Sequence, residues 1–207
     1  STLDRSSAAS DVYKRQVRQR MTRANRRRQL LDLAWTLVRE EGADALTLGR
    51  LADVAGVTKP VVYDHFSTRA GLVVAMFEEY DAEQSAALDA AVAEVGDGGV
   101  VDTARAIAVS YVDCVVRHGR ELAGVAAALE GSTELADYKR RADQAYADQC
   151  RRILAQHTRT GDVSTPAMVG MLGAADAVSA AAAEGTLTVE EAYDEVSAVI
   201  VSVVERS

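Results

Sequence analysis

The 207-residue chain has no run of alternating apolar and polar residues, so a β-sheet core is excluded. Cysteine is scarce. Cys114 and Cys150 fall in separate predicted helices without metal-ligand spacing, and both are expected as buried free thiols rather than a disulfide framework. Neither 18 consecutive apolar residues nor a signal-peptide pattern occurs, which points to a cytoplasmic chain without a membrane span. Catalytic signatures are missing too. The residues three before His65, His118 and His157 are Val62, Val115 and Leu154, so the Glu-x-x-His pairs of helical di-iron enzymes are absent. So are His-Glu-x-x-His, Gly-x-Ser-x-Gly and glycine-rich phosphate loops. No enzyme, cofactor or metal site is expected.

What is present is unevenly charged. The net charge is −8, a poor match to nucleic acid. Residues 1–69, however, hold 13 Lys and Arg against 8 Asp and Glu, a net +5, while residues 70–207 hold 10 against 23, a net −13. A basic head on an acidic body attracts phosphate locally and keeps the remainder away from it.

Every periodic segment reads as helix, nine in all. Residues 1–22 open without apolar periodicity and are expected to be a disordered or foreign arm. Leu30, Leu33, Ala34, Leu37 and Val38 give a first amphipathic helix ending near Gly42. Two short helices follow. Ser67 is then expected to cap a long helix reaching about residue 95, with Leu72, Val73, Met76, Phe77 and Tyr80 on one stripe. Further helices are expected over 101–117, 120–130 and 134–159. Another opens at Thr165-Pro166 and ends near Gly185, and the last starts at a Thr188/Glu191 capping box.

Residues 47–66 are the most informative. Leu48, Leu51, Ala52 and Ala55 recur at helical spacing behind Thr47, placed as an N-cap. Gly56 can turn the chain. Thr58 is placed to cap a second helix, with Pro60 in its first turn, where a missing N–H costs nothing. Val57, Val62 and Phe66 can point inward, leaving Thr58, Lys59, Val61, Tyr63 and His65 outward. That is the make-up of a helix-turn-helix reader; the plainer reading is a buried helical hairpin.

These residues, together with Arg-Arg-Arg-Gln-Leu-Leu-Asp-Leu-Ala from Arg26, Leu-Ala-Asp-Val-Ala-Gly-Val-Thr-Lys-Pro from Leu51 and Val-Tyr-Asp-His-Phe from Val62, resemble the TetR-type (tetracycline-repressor-like) bacterial transcription factors over about residues 26–80. The resemblance implies an all-α fold, with a three-helix DNA-binding domain over 23–66 and a ligand-binding and dimerisation domain over 67–207. It implies that Thr47, Tyr63, His65 and Arg69 contact phosphates, and that Thr58, Lys59, Pro60 and Val61 face base edges. Val61 departs from the small or hydroxylated residue often found there. Gly49, inside a helix, is a second departure, costing about 1 kcal/mol relative to alanine.

Arg26, Arg27 and Arg28 begin the ordered domain and are expected on the DNA backbone; Arg18, Arg20 and Arg23 precede them. Phe77, Tyr80, Tyr111, Cys114, His118, Leu122, Tyr138, Tyr146, Met168, Met171 and Asp176 are candidate linings of a cavity for a hydrophobic effector. His118, close to an expected helix end, is the member expected to face solvent instead. Small residues in 170–183 and an apolar face of Val196, Val199, Ile200 and Val203 make the last two helices the expected homodimer interface. A ligand-responsive repressor reading a palindromic operator follows. The alternative is a helical ligand- or protein-binding module without DNA binding.

Overall fold

The computed structural model describes residues 21–127 and 132–207. Their regular structure is entirely helical: α1 (Arg23–Glu41), a 3-10 turn (Ala43–Ala45), α2 (Leu48–Ala55), α3 (Lys59–Phe66), α4 (Arg69–Val95), α5 (Val100–Ala127), α6 (Thr133–Ala155), α7 (Thr165–Ala183) and α8 (Val189–Arg206). The expected nine elements are there with different membership. Residues 101–117 and 120–127 lie in the single helix α5, and among the described residues the 3-10 turn restores the total. Gly119 does not break α5, because one interior glycine costs only about 1 kcal/mol in a helix of this length. Arg18 and Arg20 lie outside the described residues.

Local signals hold at most boundaries. The Thr22, Thr47, Ser132, Ser164 and Thr188 hydroxyls each accept a backbone N–H at the start of a helix, and Glu191 completes the capping box by accepting from the Thr188 N–H at 2.8 Å. Two assignments shift. Ser67 ends α3 at φ 58°, and it is Thr68 that caps α4, accepting from the Gly71 N–H at 2.9 Å. Ser164, not Thr165, caps α7.

Two apolar cores are stacked along α4. The first joins Leu30, Leu31, Leu46, Leu51, Val62 and Phe66 to Leu72, Val73, Met76 and Phe77 of α4, and takes in Val125 and Leu135 from α5 and α6. The helix-turn-helix packing unit therefore runs past residue 66 into the first turns of α4. The second core gathers Leu88, Ile107, Val112, Cys150, Leu154, Met168, Met171, Val196 and Ile200. Cys114 and Cys150 are buried free thiols, and burial pushes the Cys150 thiol up to about 12.

The last two helices differ from expectation. Val196, Ile200 and Val203 are buried in their own protomer's core, so the apolar face of α8 is already used. The open apolar surface lies instead on α7, where Val169, Gly170, Gly173, Ala177 and Ala180 are exposed. By length and composition α7 is apolar enough to cross a membrane, with mean hydropathy 1.3 over an 18-residue window that is 28% buried. Its packing against α5 and α8 places it in the bundle.

Gly42 joins α1 to the 3-10 turn at φ 86° and ψ 167°, a backbone region essentially reserved for glycine. Gly49 sits in regular helix, where an added Cβ would make only an ordinary contact, 3.7 Å from Lys59 Cε. Gly42→Ala is thus expected to cost about 1–3 kcal/mol. Gly49→Ala should instead gain roughly 0.5–1 kcal/mol. Urea denaturation of the two variants measures both, and equal shifts of one sign would contradict the assignment.

Candidate nucleic-acid interface and effector cavity

The helix-turn-helix geometry rests on two side chains. Val62 and Phe66, 0% and 5% exposed, fasten α3 onto α1, α2 and α4, since a two-turn helix is not stable unaided. Gly56 makes the turn into it in the left-handed conformation, φ 62° and ψ 34°, with its N–H on the Ala52 and Asp53 carbonyls. With Val62 and Phe66 inward, Thr58, Lys59, Pro60 and Tyr63 are exposed, Tyr63 by 51%, while Val61 and His65 are half-buried. Thr58 holds the N-cap position without its side chain making the cap hydrogen bond, unlike Thr22, Thr47 and Thr68 at the neighbouring helices. The Lys59 stem runs across Gly49, which steadies the ammonium beside α2.

The flanking groups fall into two sets. Thr47 accepts from the Arg50 N–H at 3.0 Å and is exposed, so its hydroxyl hydrogen can still be donated. Arg28 is exposed. Arg23 donates to the Asp64 carbonyl at 3.0 Å and pairs with its carboxylate at 3.3 Å, offsetting the one acidic charge on α3. Arg26 and Arg27 are more committed than expected: Arg26 donates to Gln29, and Arg27 pairs with Glu78 at 3.0 Å while lying 5.9 Å over the Phe66 ring.

Arg69 departs furthest from expectation. Its guanidinium donates to the Leu46 carbonyl at 2.7 Å and to the Ala43 carbonyl at 2.8 Å. It braces the turn before α2, satisfying the Leu46 carbonyl outside regular helix and adding a second donor to the Ala43 carbonyl, which already accepts from the Leu46 N–H at 3.2 Å. Its expected phosphate contact is thereby recast as support for the interface.

A cavity of about 1020 Å³ lies between α4, α6 and α7 with Tyr111 of α5. Five expected residues line it: Tyr111, Tyr138, Tyr146, Met168 and Asp176. The Tyr138 hydroxyl donates to Asp81 at 2.6 Å, and the Tyr111 hydroxyl donates to Asp176. Burial raises the Asp81 and Asp143 carboxyls above their ordinary range, with the Asp81–Asp143 and Asp143–Asp176 repulsions adding to it. The expectation of an apolar lining is not met, since Asp, Arg and Gln side chains alternate with the tyrosines.

Other expected lining residues are elsewhere. Phe77 and Met171 are core, and Cys114 is buried outside the cavity lining. The side chain of Leu122 lies outside the described residues. Tyr80 and His118 line a smaller cavity of about 280 Å³ with Trp35 and Glu83. His118, in mid-α5 rather than at a helix end, packs 5.5 Å from the Trp35 ring and edge-on to Tyr80, with Nε2 3.6 Å from Glu83. This contact and the bond from Trp35 Nε1 to Glu79 at 3.0 Å tie α1 to α4 and α5.

With this geometry in view, residues 30–76 match the profile of the bacterial regulatory proteins of the tetR family. That match takes in the helix-turn-helix and the first turns of α4 and covers less than half of the chain. A curated relative, the HTH-type transcriptional activator FasR of Mycolicibacterium smegmatis, is 39% identical over 61 residues, which is 30% of this chain. The match spans only 28% of that relative's length. Solved structures extend the likeness in fold to most of the chain. A TetR-family transcriptional regulator from Streptomyces coelicolor superposes with TM-score 0.67 and 22% identity, covering 96% of each chain. The fatty acid degradation regulator FadR from Bacillus halodurans gives 0.67 and 17%, covering 84% of this chain and 93% of that one. A TetR/AcrR-family regulator from Thermobifida fusca gives 0.63 and 24%, covering 84% and 96%.

Within this tetR-type fold the sequence reading missed the groups that join α4 to α6. Gln149 donates to Asp89 at 2.7 Å and to the Ser85 carbonyl at 3.1 Å, and Ser85 donates back to Gln149 at 2.9 Å. Helical periodicity finds apolar stripes, and it has no means of matching polar partners 60 residues apart.

His65 supplies a pH test. Burial, then the nearby Arg23 charge, holds its imidazole below the ordinary value, so it is neutral at pH 7 in the free protein. The folded state binds this proton less readily than the unfolded chain, so protonation costs stability as pH falls below about 6.5. A phosphate beside His65 reverses the preference. DNA binding should therefore take up a proton and tighten between pH 7.5 and 5.5, and His65→Gln should flatten that slope. Fluorescence anisotropy across the range reads it, and an unchanged slope in the variant would remove His65 from the phosphate set.

Proposed function

We propose that this chain is a ligand-responsive, DNA-binding transcriptional regulator that acts as a homodimer on a palindromic operator. The observation that carries the reading is the outward face of α3, where Lys59 and Tyr63 project from a helix fixed by Val62 and Phe66. Lys59 is assigned to guanine acceptors, and Pro60 or Val61 to a thymine methyl. Thr47, Thr58, Tyr63 and His65 are assigned to the sugar–phosphate backbone with Arg28, and with Arg26 and Arg27 if these exchange their present partners for phosphate. Dimerisation is assigned to the exposed small-residue face of α7, with α8 beside it, so that two α3 helices meet half-sites about one helical turn apart.

The effector is assigned to the cavity between α4, α6 and α7. Tyr138 on α6 bonds Asp81 on α4, and Leu135 one turn earlier belongs to the same core as Val62 and Phe66. A ligand that separates Tyr138 from Asp81 would shift α4 beneath the helix-turn-helix and change the spacing of the two reading helices. The coupling is limited to the ligand's differential affinity for the two spacings, typically ~1–3 kcal/mol. Repression is the sign the resemblance implies. The similar FasR is named an activator, so operator position relative to the promoter decides the sign, and a reporter assay reads it.

Duplex DNA selected from a random library provides the test. A dimer making about 6–10 phosphate contacts should lose roughly 10³–10⁵ in affinity between 50 and 200 mM salt. Tyr63→Phe should weaken all sequences alike. Lys59→Ala should also relax base preference by roughly 1–3 kcal/mol at one position per half-site. Binding that is absent, or indifferent to salt, would favour the helical binding module instead.

A further inference from the structure

The geometry points to an organic cation with a flat apolar body as the effector, held by Asp81 and Asp176 against the rings of Tyr111 and Tyr146. This rests on the regulator reading above only for the word effector; the binding chemistry stands on the cavity itself. Four acidic and four basic side chains line that cavity, so a charge count decides nothing. Their partners do. Arg140 is paired with Asp137 at 2.6 Å, and Arg151 with Asp148 at 2.6 Å; neither aspartate belongs to the lining. Arg141 and Arg152 are exposed, and so are Asp143 and Asp176 among the acids.

The carboxylates are compensated differently. Asp81 and Asp176 accept hydrogen bonds from the neutral hydroxyls of Tyr138 and Tyr111, which orient the charge without cancelling it. Repulsion from Asp176 adds to the burial that raises the Asp143 carboxyl, and Asp143 in turn raises Asp81, with the Lys139 ammonium as the cation opposing both Asp81 and Asp143. Asp81 and Asp143, the two whose carboxyls burial raises, gain most from an added cation. The tyrosines supply the rest. The Tyr111 and Tyr146 rings lie 5.5 Å apart at 50°, an aromatic wall that attracts cations as well as apolar surface. The Tyr146 hydroxyl is buried without a hydrogen-bond partner, beside only the weakly accepting Cys150 sulfur, so it is left for a ligand to satisfy. A fatty-acyl carboxylate would meet Asp81, Asp143 and Asp176 with its own charge. The fold likeness to a fatty acid degradation regulator therefore does not extend to ligand chemistry.

Isothermal titration of the full chain with rhodamine 6G, sodium laurate and lauroyl-coenzyme A tests this. Rhodamine 6G should bind saturably and the two acyl anions should not. Asp81→Asn and Asp176→Asn should each weaken rhodamine binding about tenfold or more, the loss of one charge-assisted contact. Asp143→Asn, which removes a charge without breaking a tyrosine bond, should weaken it too and serves if the others unfold in a thermal melt. Acyl binding without rhodamine binding overturns the inference, as does binding of none of the three, or rhodamine binding untouched by all three variants. DNA binding is titrated separately without ligand. Its failure would remove the regulator reading while leaving the cation result to stand or fall by itself.

Discussion

The burial of Val62 and Phe66 is the constraint on which the interface depends. An eight-residue helix forms few of its own hydrogen bonds, and its first and last turns leave backbone groups unsatisfied. Apolar packing beneath α3 supplies what propensity cannot, and each well-buried side chain of this size contributes about 1.5–3 kcal/mol. Because the inward positions are taken by these two, the outward positions are settled as well. Lys59 and Tyr63 are exposed as the geometric consequence of where Val62 and Phe66 go.

That same core reaches beyond the helix-turn-helix. Val125 and Leu135, from α5 and α6, pack in one cluster with the helix-turn-helix and the first turns of α4. Trp35, bonded to Glu79 and stacked near His118, adds a polar and aromatic tie at the same junction. The two ends of the protomer are thus not joined by a flexible linker. Movement of α4 is felt in both, which is the physical requirement for any ligand effect on DNA.

Much of this was legible in the residues. The Thr47 cap, the Thr188/Glu191 capping box, the Gly56 turn and the inward Val62 and Phe66 of α3 follow from rules acting over four or five residues, and there those rules held. The errors have a common origin in longer-range competition. Ser67 yielded the cap to Thr68 because it is itself the residue at which α3 turns, at φ 58°. Gly119 did not divide α5, since contacts along a 28-residue helix outweigh one poor helix former. Arg69 looked like a phosphate ligand until the carbonyls of Ala43 and Leu46 claimed it. The apolar face of α8 fitted either a partner or its own core, and only the packing of Val196 and Ile200 against α5–α7 residues separates the two. The cavity was least legible: its tyrosines were named, but Asp81 and Gln149 act through partners far away in sequence.

The central claim is that the surface built on Thr47, Lys59 and Tyr63 is where nucleic acid sits. Amide hydrogen exchange of the full chain, with and without a selected duplex at low salt, tests it most directly. The account predicts slowed exchange in α3, at the start of α2 and at the start of α1, with α7 unchanged. Protection confined to the acidic helices, with α3 amides exchanging at the same rate in both samples, would contradict it.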